Sequence, residues 1–440
     1  MVPSPDEFSK MQPPVMHARA EWVITCGSRY WPGGTERHIQ ALNLPQVSWT
    51  PSRTCILVPV PEWAADIALG SPPSLLVDRA SIAAGDDSEF GRCNWLCAAY
   101  LFLSGAQEPP GAVVSYAGLL PQVDTRLFDR AWVNRIFLLL RRLAAQSARV
   151  SELELFGGRP VAEIHVTHDV DAIRKTPEIR FKQTAFHLYN AARAASTGQW
   201  PSALEKLTQA ARFFGTTPDY WNFPKIREAE ADRGIRSTFN FYGGPAGWRR
   251  GSFRRILLDP GYNVGAPGVR RELARLLEGG WSIGVHPSFE SWDNATLMRS
   301  ERAAVEAACG TPVTECRQHW LRFSWRRTWK AQIAAGFTLD TTLGFNDRPG
   351  FRNGAALRVR PWDEKTGRAL AIEALPMILM DSHFYDYAAL TGDERRAALA
   401  YWIGEVRAVG GQASVNWHVH TLAPDYDWKT GYIDLLDALA

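Results

Sequence analysis

From residue 161 onward, short apolar runs alternate with helical blocks: VAEIHVT at 161–167, RSTFNFY at 236–242, WSIGVH at 281–286, TECR at 314–317, GFTLD at 336–340, LAIEAL at 370–375 and QASVNW at 412–417. Runs this short, separated by stretches long enough for helices, predict parallel strands with helices outside, as an α/β barrel or a doubly wound sheet. Polar residues follow several runs immediately, at the strand ends where such folds place their sites. Upstream, the run TCILVPVP at 54–61 is joined by helical stretches at 94–103 and 126–146, the second strongly amphipathic. The pattern predicts a flexible lead-in over 1–20, an α/β N-terminal domain over 21–157 and a second domain over 158–440, with Gly157 and Gly158 at the boundary. The N-terminal domain shows no catalytic constellation and is expected to pack on the second domain and shape one wall of its cleft.

With 440 residues, 46% hydrophobic and 22% charged, the chain has material for about two to three globular domains, which excludes disorder as a whole. Lys and Arg (49) nearly balance Asp and Glu (46), and a net charge of +3 argues for no nucleic-acid partner and no anionic surface. No run approaches the roughly 18 apolar residues of a membrane span, so no integral membrane segment is expected. The start MVPSPDEFSKMQPPV lacks the basic-then-apolar order of a signal peptide, which points to a cytoplasmic location. Six cysteines are sparse for this length and predict reduced, mostly buried thiols, Cys93 and Cys97 among them. The 18 tryptophans are a weak hint of carbohydrate.

Four strand ends carry candidate chemistry. In Thr167-His168-Asp169-Val170-Asp171, one carboxylate can bind a cation while the other accepts a proton from water; alternatively Asp171 merely caps a turn. In Gly284-Val285-His286-Pro287-Ser288-Phe289-Glu290, Pro287 suits the first turn of a helix, which would face His286 and Glu290 the same way as candidate ligands. Arg317 can clamp a carboxylate bidentately, and His319 beside it is a further ligand candidate. His418 ends the last apolar run and can protonate a departing amine. A rival G-x-S-x-G string at Gly280–Gly284, followed by Asp340 and His418, has the order of a serine hydrolase. Its context is wrong, because a helix precedes Ser282 and the strand follows it. No phosphate-binding loop and no dinucleotide glycine fingerprint occurs.

In order, the strings THDVD (167–171), GVHPSFES (284–291), RQHWLRF (317–323) and AGFTLDTTLGFNDRPGFRNG (335–354) resemble the polysaccharide deacetylase superfamily, most closely an intracellular bacterial branch with an extra N-terminal domain. The resemblance implies an α/β fold: a distorted seven-stranded (β/α) barrel with its site at the C-terminal strand ends, preceded by the smaller N-terminal domain. It implies Asp169 as catalytic base, Arg317 as its orienting arginine, His418 as general acid and Asp340 as the residue tuning that acid. Asp171 and His286 match metal ligands. The second metal histidine of the family, four residues after the first, is Glu290 here, and His319 is the preferred substitute over Glu290 or water. The implied cofactor is a divalent metal, zinc first, with cobalt or nickel as alternatives. The implied activity is removal of an N-acetyl group from a sugar, on an oligosaccharide or a lipid-linked or nucleotide-linked glycan precursor. The alternatives are a metal-free C–N amidohydrolase or deformylase on the same barrel, and a catalytically silent carbohydrate-binding protein.

Overall fold

The computed structural model describes residues 12–109, 111, 117–119, 122–246 and 253–440. Helix α1 (Gln12–Cys26) already occupies part of the expected lead-in. An antiparallel pair, β1 (Cys55–Pro59) and β2 (Ser74–Asp78), then packs with α2 (Trp95–Leu103) and α3 (Trp132–Ala148). The Asn94 side chain caps α2 by accepting from Cys97 N, and every residue of that helix is buried. Cys93 and Cys97 are buried unpaired thiols, as expected of core cysteines.

The second part winds strands and helices alternately. β3 (Glu163–Val170) leads through α4 (Pro177–Ser196), α5 (Trp200–Gly215) and α6 (Phe223–Ala231) to β4 (Thr238–Phe241). Helices α7 (Phe253–Leu258) and α8 (Pro267–Glu278) lead to β5 (Ser282–Val285), and α9 (Ala295–Cys309) to β6 (Glu315–Cys316). Helix α10 (Thr328–Ala335) ends at Gly336, whose φ of +91° suits glycine and turns the chain into β7 (Leu339–Asp340). A small antiparallel pair, β8 (Trp362–Asp363) and β9 (Arg368–Ala369), precedes β10 (Glu373–Ala374) and β11 (Met377–Met380); α11 (Gly392–Ala408), β12 (Gln412–Asn416) and α12 (Lys429–Leu439) complete the chain.

Eight parallel strands form one curled sheet in the order β10-β7-β6-β5-β4-β3-β12-β11. Its two edges, β10 and β11, are separated in sequence only by Leu375 and Pro376. Leu375 N still donates to Asp340 O of β7, and Pro376 O still accepts from Ser414 N of β12. One interrupted segment thus lines both edges and forces the sheet round toward a barrel. All seven expected strands are present; the expected segment 370–375 continues past Pro376 into a further strand, MILM, which brings the hydrogen-bonded count to eight.

A single apolar core runs through both parts of the chain. Two buried Arg–Glu pairs cross between them: Arg135 of α3 with Glu405 of α11 (3.0 and 2.7 Å), and Arg352 with Glu108 (2.8 and 2.9 Å). The Asn134 amide pairs with the backbone of Ala356 in both directions, at 2.9 Å each. The N-terminal part therefore packs on the barrel, and none of its described residues lines the cavity at the C-terminal strand ends.

Removing one member of a buried, doubly hydrogen-bonded ion pair strands the other charge. Arg135→Ala is expected to lower the unfolding free energy by about 3 kcal/mol, read as a lower urea midpoint at unchanged m-value. A loss below about 1 kcal/mol would assign the pair no more weight than a surface bridge.

Candidate functional site

The C-terminal strand ends surround a cavity of about 430 Å³, within the usual range for small-ligand sites. Asp169 and Asp171 arrive on and just after β3, His286 directly after β5, His319 three residues after β6, and His418 two residues after β12. All five line the cavity.

Asp171, His286 and His319 form, among the described residues, the one group of three side chains able to share a cation. Asp171 Oδ1 lies 3.3 Å from His286 Nε2 and 3.4 Å from His319 Nδ1, and the two nitrogens lie 2.7 Å apart. The outer nitrogens fix the tautomers: His286 Nδ1–H donates to Arg317 O (2.7 Å) and His319 Nε2–H to Leu258 O (2.6 Å). With both rings neutral, the two inner nitrogens therefore turn lone pairs inward; without a cation, a proton shared across their 2.7 Å contact takes that place. Asp171 Oδ1, buried and without a hydrogen-bond donor, joins them. Three converging lone pairs repel unless positive charge stands between them, and two imidazoles with one carboxylate are a donor set that suits zinc.

The titration shifts express the same demand. Burial raises the Asp171 pKa, yet His319, His286 and His418 outweigh it and hold the carboxyl well below its usual range. Burial disfavours charge on His286, but Asp169 and Asp171 push its pKa up. Burial takes His319 down to about 4, which keeps it in the neutral form a ligand needs.

Glu290 is elsewhere. It pairs with Arg254 (3.2 Å) and Arg322 (2.9 Å). The expected helix after His286 does not form: the chain turns, with Ser288 N donating to Glu301 and Phe289 N to Asp259, and the next helix begins at Ala295.

Asp169 sits beside the triad with its carboxylate held on two sides. Asn240 of β4 donates to Oδ1 (2.9 Å) and Asn416 of β12 to Oδ2 (3.1 Å). Gly284 on β5 makes this fit, since a Cβ there would collide with Asn240 Oδ1. Arg317 is fully buried, but its expected bidentate clamp is not what forms: Nη1 alone reaches Asp169 Oδ1, at 3.4 Å, and also donates to Thr167, while Nε and Nη2 donate to Thr341 O and Ser414. Burial works against the Asp169 charge, and His286, Arg317 and His418 overcome it, so the carboxylate stays ionised.

His418 faces the triad from the far side, with Nε2 3.5 Å from Asp171 Oδ2. Its Nδ1–H donates to Asp381 Oδ1 (2.7 Å), while its backbone N–H and the Thr421 hydroxyl bond Asp381 Oδ2. Burial lowers the His418 pKa, but Asp381 first, then Asp171 and Asp169, lift it to about 10. The carboxylate that bonds His418 is thus Asp381, directly after β11, and not Asp340, for which the tuning role was expected. The Asp340 carboxylate is committed to Trp329, Gln332 and Thr342. Ser282 stands exposed at the opening of β5, away from these strand ends.

Behind the site, His168 donates to Trp417 O (2.6 Å) and meets Glu230 (2.9 Å), which also takes Ser237, Trp281 and Tyr432. At the rim, Trp320 and Leu321 both adopt positive φ (59° and 50°), a backbone state costing about 1–3 kcal/mol per residue and concentrated at functional sites.

Among solved structures the chain is similar to a protein assigned as a polysaccharide deacetylase from Mycobacterium smegmatis (15% identity, 64% of this chain and 85% of that one, TM-score 0.37). It is also similar to the polysaccharide deacetylase from Bacillus cereus (10%, 63% and 87%, TM-score 0.28) and to a CE4 family pseudoenzyme from Bacillus anthracis (9%, 64% and 62%, TM-score 0.27). No family model and no curated protein matches the chain.

Loss of a direct ligand should cost more than the 10–100-fold of a supporting residue. Zinc affinity, measured by competition with a chromophoric chelator, is expected to fall at least ~100-fold in His319→Ala and to stay within about twofold in Glu290→Gln. The reverse ranking would return Glu290 to the site.

Proposed function

We propose that this chain is a metal-dependent hydrolase that removes an N-acetyl group from a sugar, on an oligosaccharide or on a lipid-linked or nucleotide-linked precursor of a surface polysaccharide. The observation that carries this reading is the triad of inward lone pairs on Asp171, His286 and His319, with an ionised carboxylate on one side and a protonated imidazole on the other.

A divalent cation in that triad, zinc or else cobalt or nickel, supplies polarisation of the amide carbonyl and acidification of a water. Asp169 takes the proton from the attacking water. Its ionised state and the grip of Asn240 and Asn416 hold it in place for that task, and Arg317 opposes its premature protonation. His418, charged at neutral pH and aimed by Asp381, delivers its Nε2 proton to the departing amine nitrogen. Trp320, Phe186, Tyr426 and Trp428 line the cavity and offer ring faces to a sugar. In this reading residues 158–440 are the catalytic unit, and residues 21–157 are an accessory unit that buttresses it through the buried ion pairs.

Acetate release from an N-acetylated hexosamine oligosaccharide tests the activity. Asp169→Asn is expected to lower kcat about 10³-fold while zinc stays bound; undiminished turnover would remove Asp169 from the chemistry. Asp381 raises the His418 pKa, and the acid must be protonated to act. Asp381→Asn is therefore expected to move the alkaline limb of kcat/KM to lower pH, and an unmoved limb would separate Asp381 from the acid.

A further inference from the structure

Helix α5 is built inside out. Trp200, Leu204, Leu207, Ala211 and Phe214 fall at i, i+4, i+7, i+11 and i+14, a single stripe, and all are exposed. The adjoining face buries Ala203, Lys206, Ala210 and Phe213, so the apolar surface of the helix runs on past what the core covers. A helix on a globular surface ordinarily turns its apolar stripe to the core. Its partner α4 repeats the feature with exposed Phe181, Leu188 and Tyr189, and the Phe181 and Phe214 rings, 6.0 Å apart, join the two stripes. Half of the large hydrophobic side chains exposed among the described residues lie on this hairpin, so they form a patch rather than a scatter.

The charge around the patch selects its occupant. Residues 175–217 carry six Lys and Arg against two Glu; with Lys175 buried against Asp425 and Lys206 buried on the core side, four bases and two acids remain for the surface. Lys182, Arg193 and Arg212 are exposed at the edges, Arg212 loosely paired with Asp427 at 3.9 Å, whereas Glu205 is the one exposed acid on the two helices. A second copy seated face to face would oppose these basic edges to one another. An anionic lipid surface complements them. Trp, Phe and Leu on one face with Lys and Arg beside it are the features of helices that lie in a membrane interface.

We propose that the α4–α5 hairpin docks the protein on the surface of an anionic lipid bilayer. It does so from one side, since no described helix is long and apolar enough to cross a membrane. The other face of α4 supplies Ile179, Gln183 and Phe186 to the cavity, and Lys182 donates to Leu257 O at the mouth. Docking therefore sets the cavity mouth beside the lipid headgroups. If the hydrolase reading holds, that position favours a lipid-linked sugar over a nucleotide-linked one; the docking itself does not depend on that reading.

The test is flotation of the full chain with vesicles of equal parts phosphatidylglycerol and phosphatidylcholine, against phosphatidylcholine alone, at low and high salt. The wild type is expected to float with the anionic vesicles and to do so less at high salt. Combined Trp200→Ser, Leu204→Ser and Leu207→Ser is expected to weaken binding at least ~10-fold while circular dichroism and zinc binding stay unchanged. Absence of flotation, or equal flotation of the variant, overturns the proposal. A wild-type dimer in sedimentation that the same variant dissolves, with no vesicle binding, overturns it in favour of self-association. Flotation by a protein that releases no acetate keeps the docking and removes the hydrolase.

Discussion

The site depends on two backbone carbonyls. Arg317 O and Leu258 O each take the outer N–H of a histidine, so His286 and His319 have their lone pairs pointing at each other and at Asp171. Without those carbonyls either ring could turn a proton inward, and the three residues would be a hydrogen-bonded cluster like any other. With them, the fold itself sets three donor atoms where they could hold one cation. The two carbonyls come from different places, one at the end of β6 and one at the end of α7, which ties the tautomers to the packing of strand and helix together.

The remaining machinery is arranged around that centre by strand register. Asp169 on β3 stands opposite Asn240 on β4, and both neighbours of β3 supply an amide to its carboxylate. His168, one residue earlier, points the other way and is locked by Glu230, so a single strand anchors the scaffold with one side chain and presents chemistry with the next. β11 places Asp381 against His418 from β12, its hydrogen-bonded neighbour. The buried Arg–Glu pairs from the N-terminal part brace the outside of this arrangement without reaching the cavity.

Much of this was legible in the sequence because short apolar runs between helices leave few alternatives to parallel strands, and because histidines and aspartates at their ends have little structural use there. His319 was legible for the same reason. Asp381 was not, since the expected run stops at Leu375, before Pro376, and the strand MILM that leads into Asp381 lies beyond it. Asn240 and Asn416 carried a signal that went unread: an amide in the middle of an otherwise apolar strand has to bond something. The helix expected after His286 is replaced by a turn whose amides bond Asp259 and Glu301, partners distant in sequence that no local pattern reveals. Net charge, near neutral in total, does not register the basic edges of one hairpin.

The measurement that bears most directly on this account is zinc K-edge X-ray absorption of the zinc-loaded protein. Two imidazole nitrogens and at least one oxygen at about 2.0–2.1 Å are predicted, with one imidazole lost in His319→Ala. A shell of oxygens without imidazole, or failure to take up stoichiometric zinc at all, would contradict the convergence of lone pairs on which the rest is built.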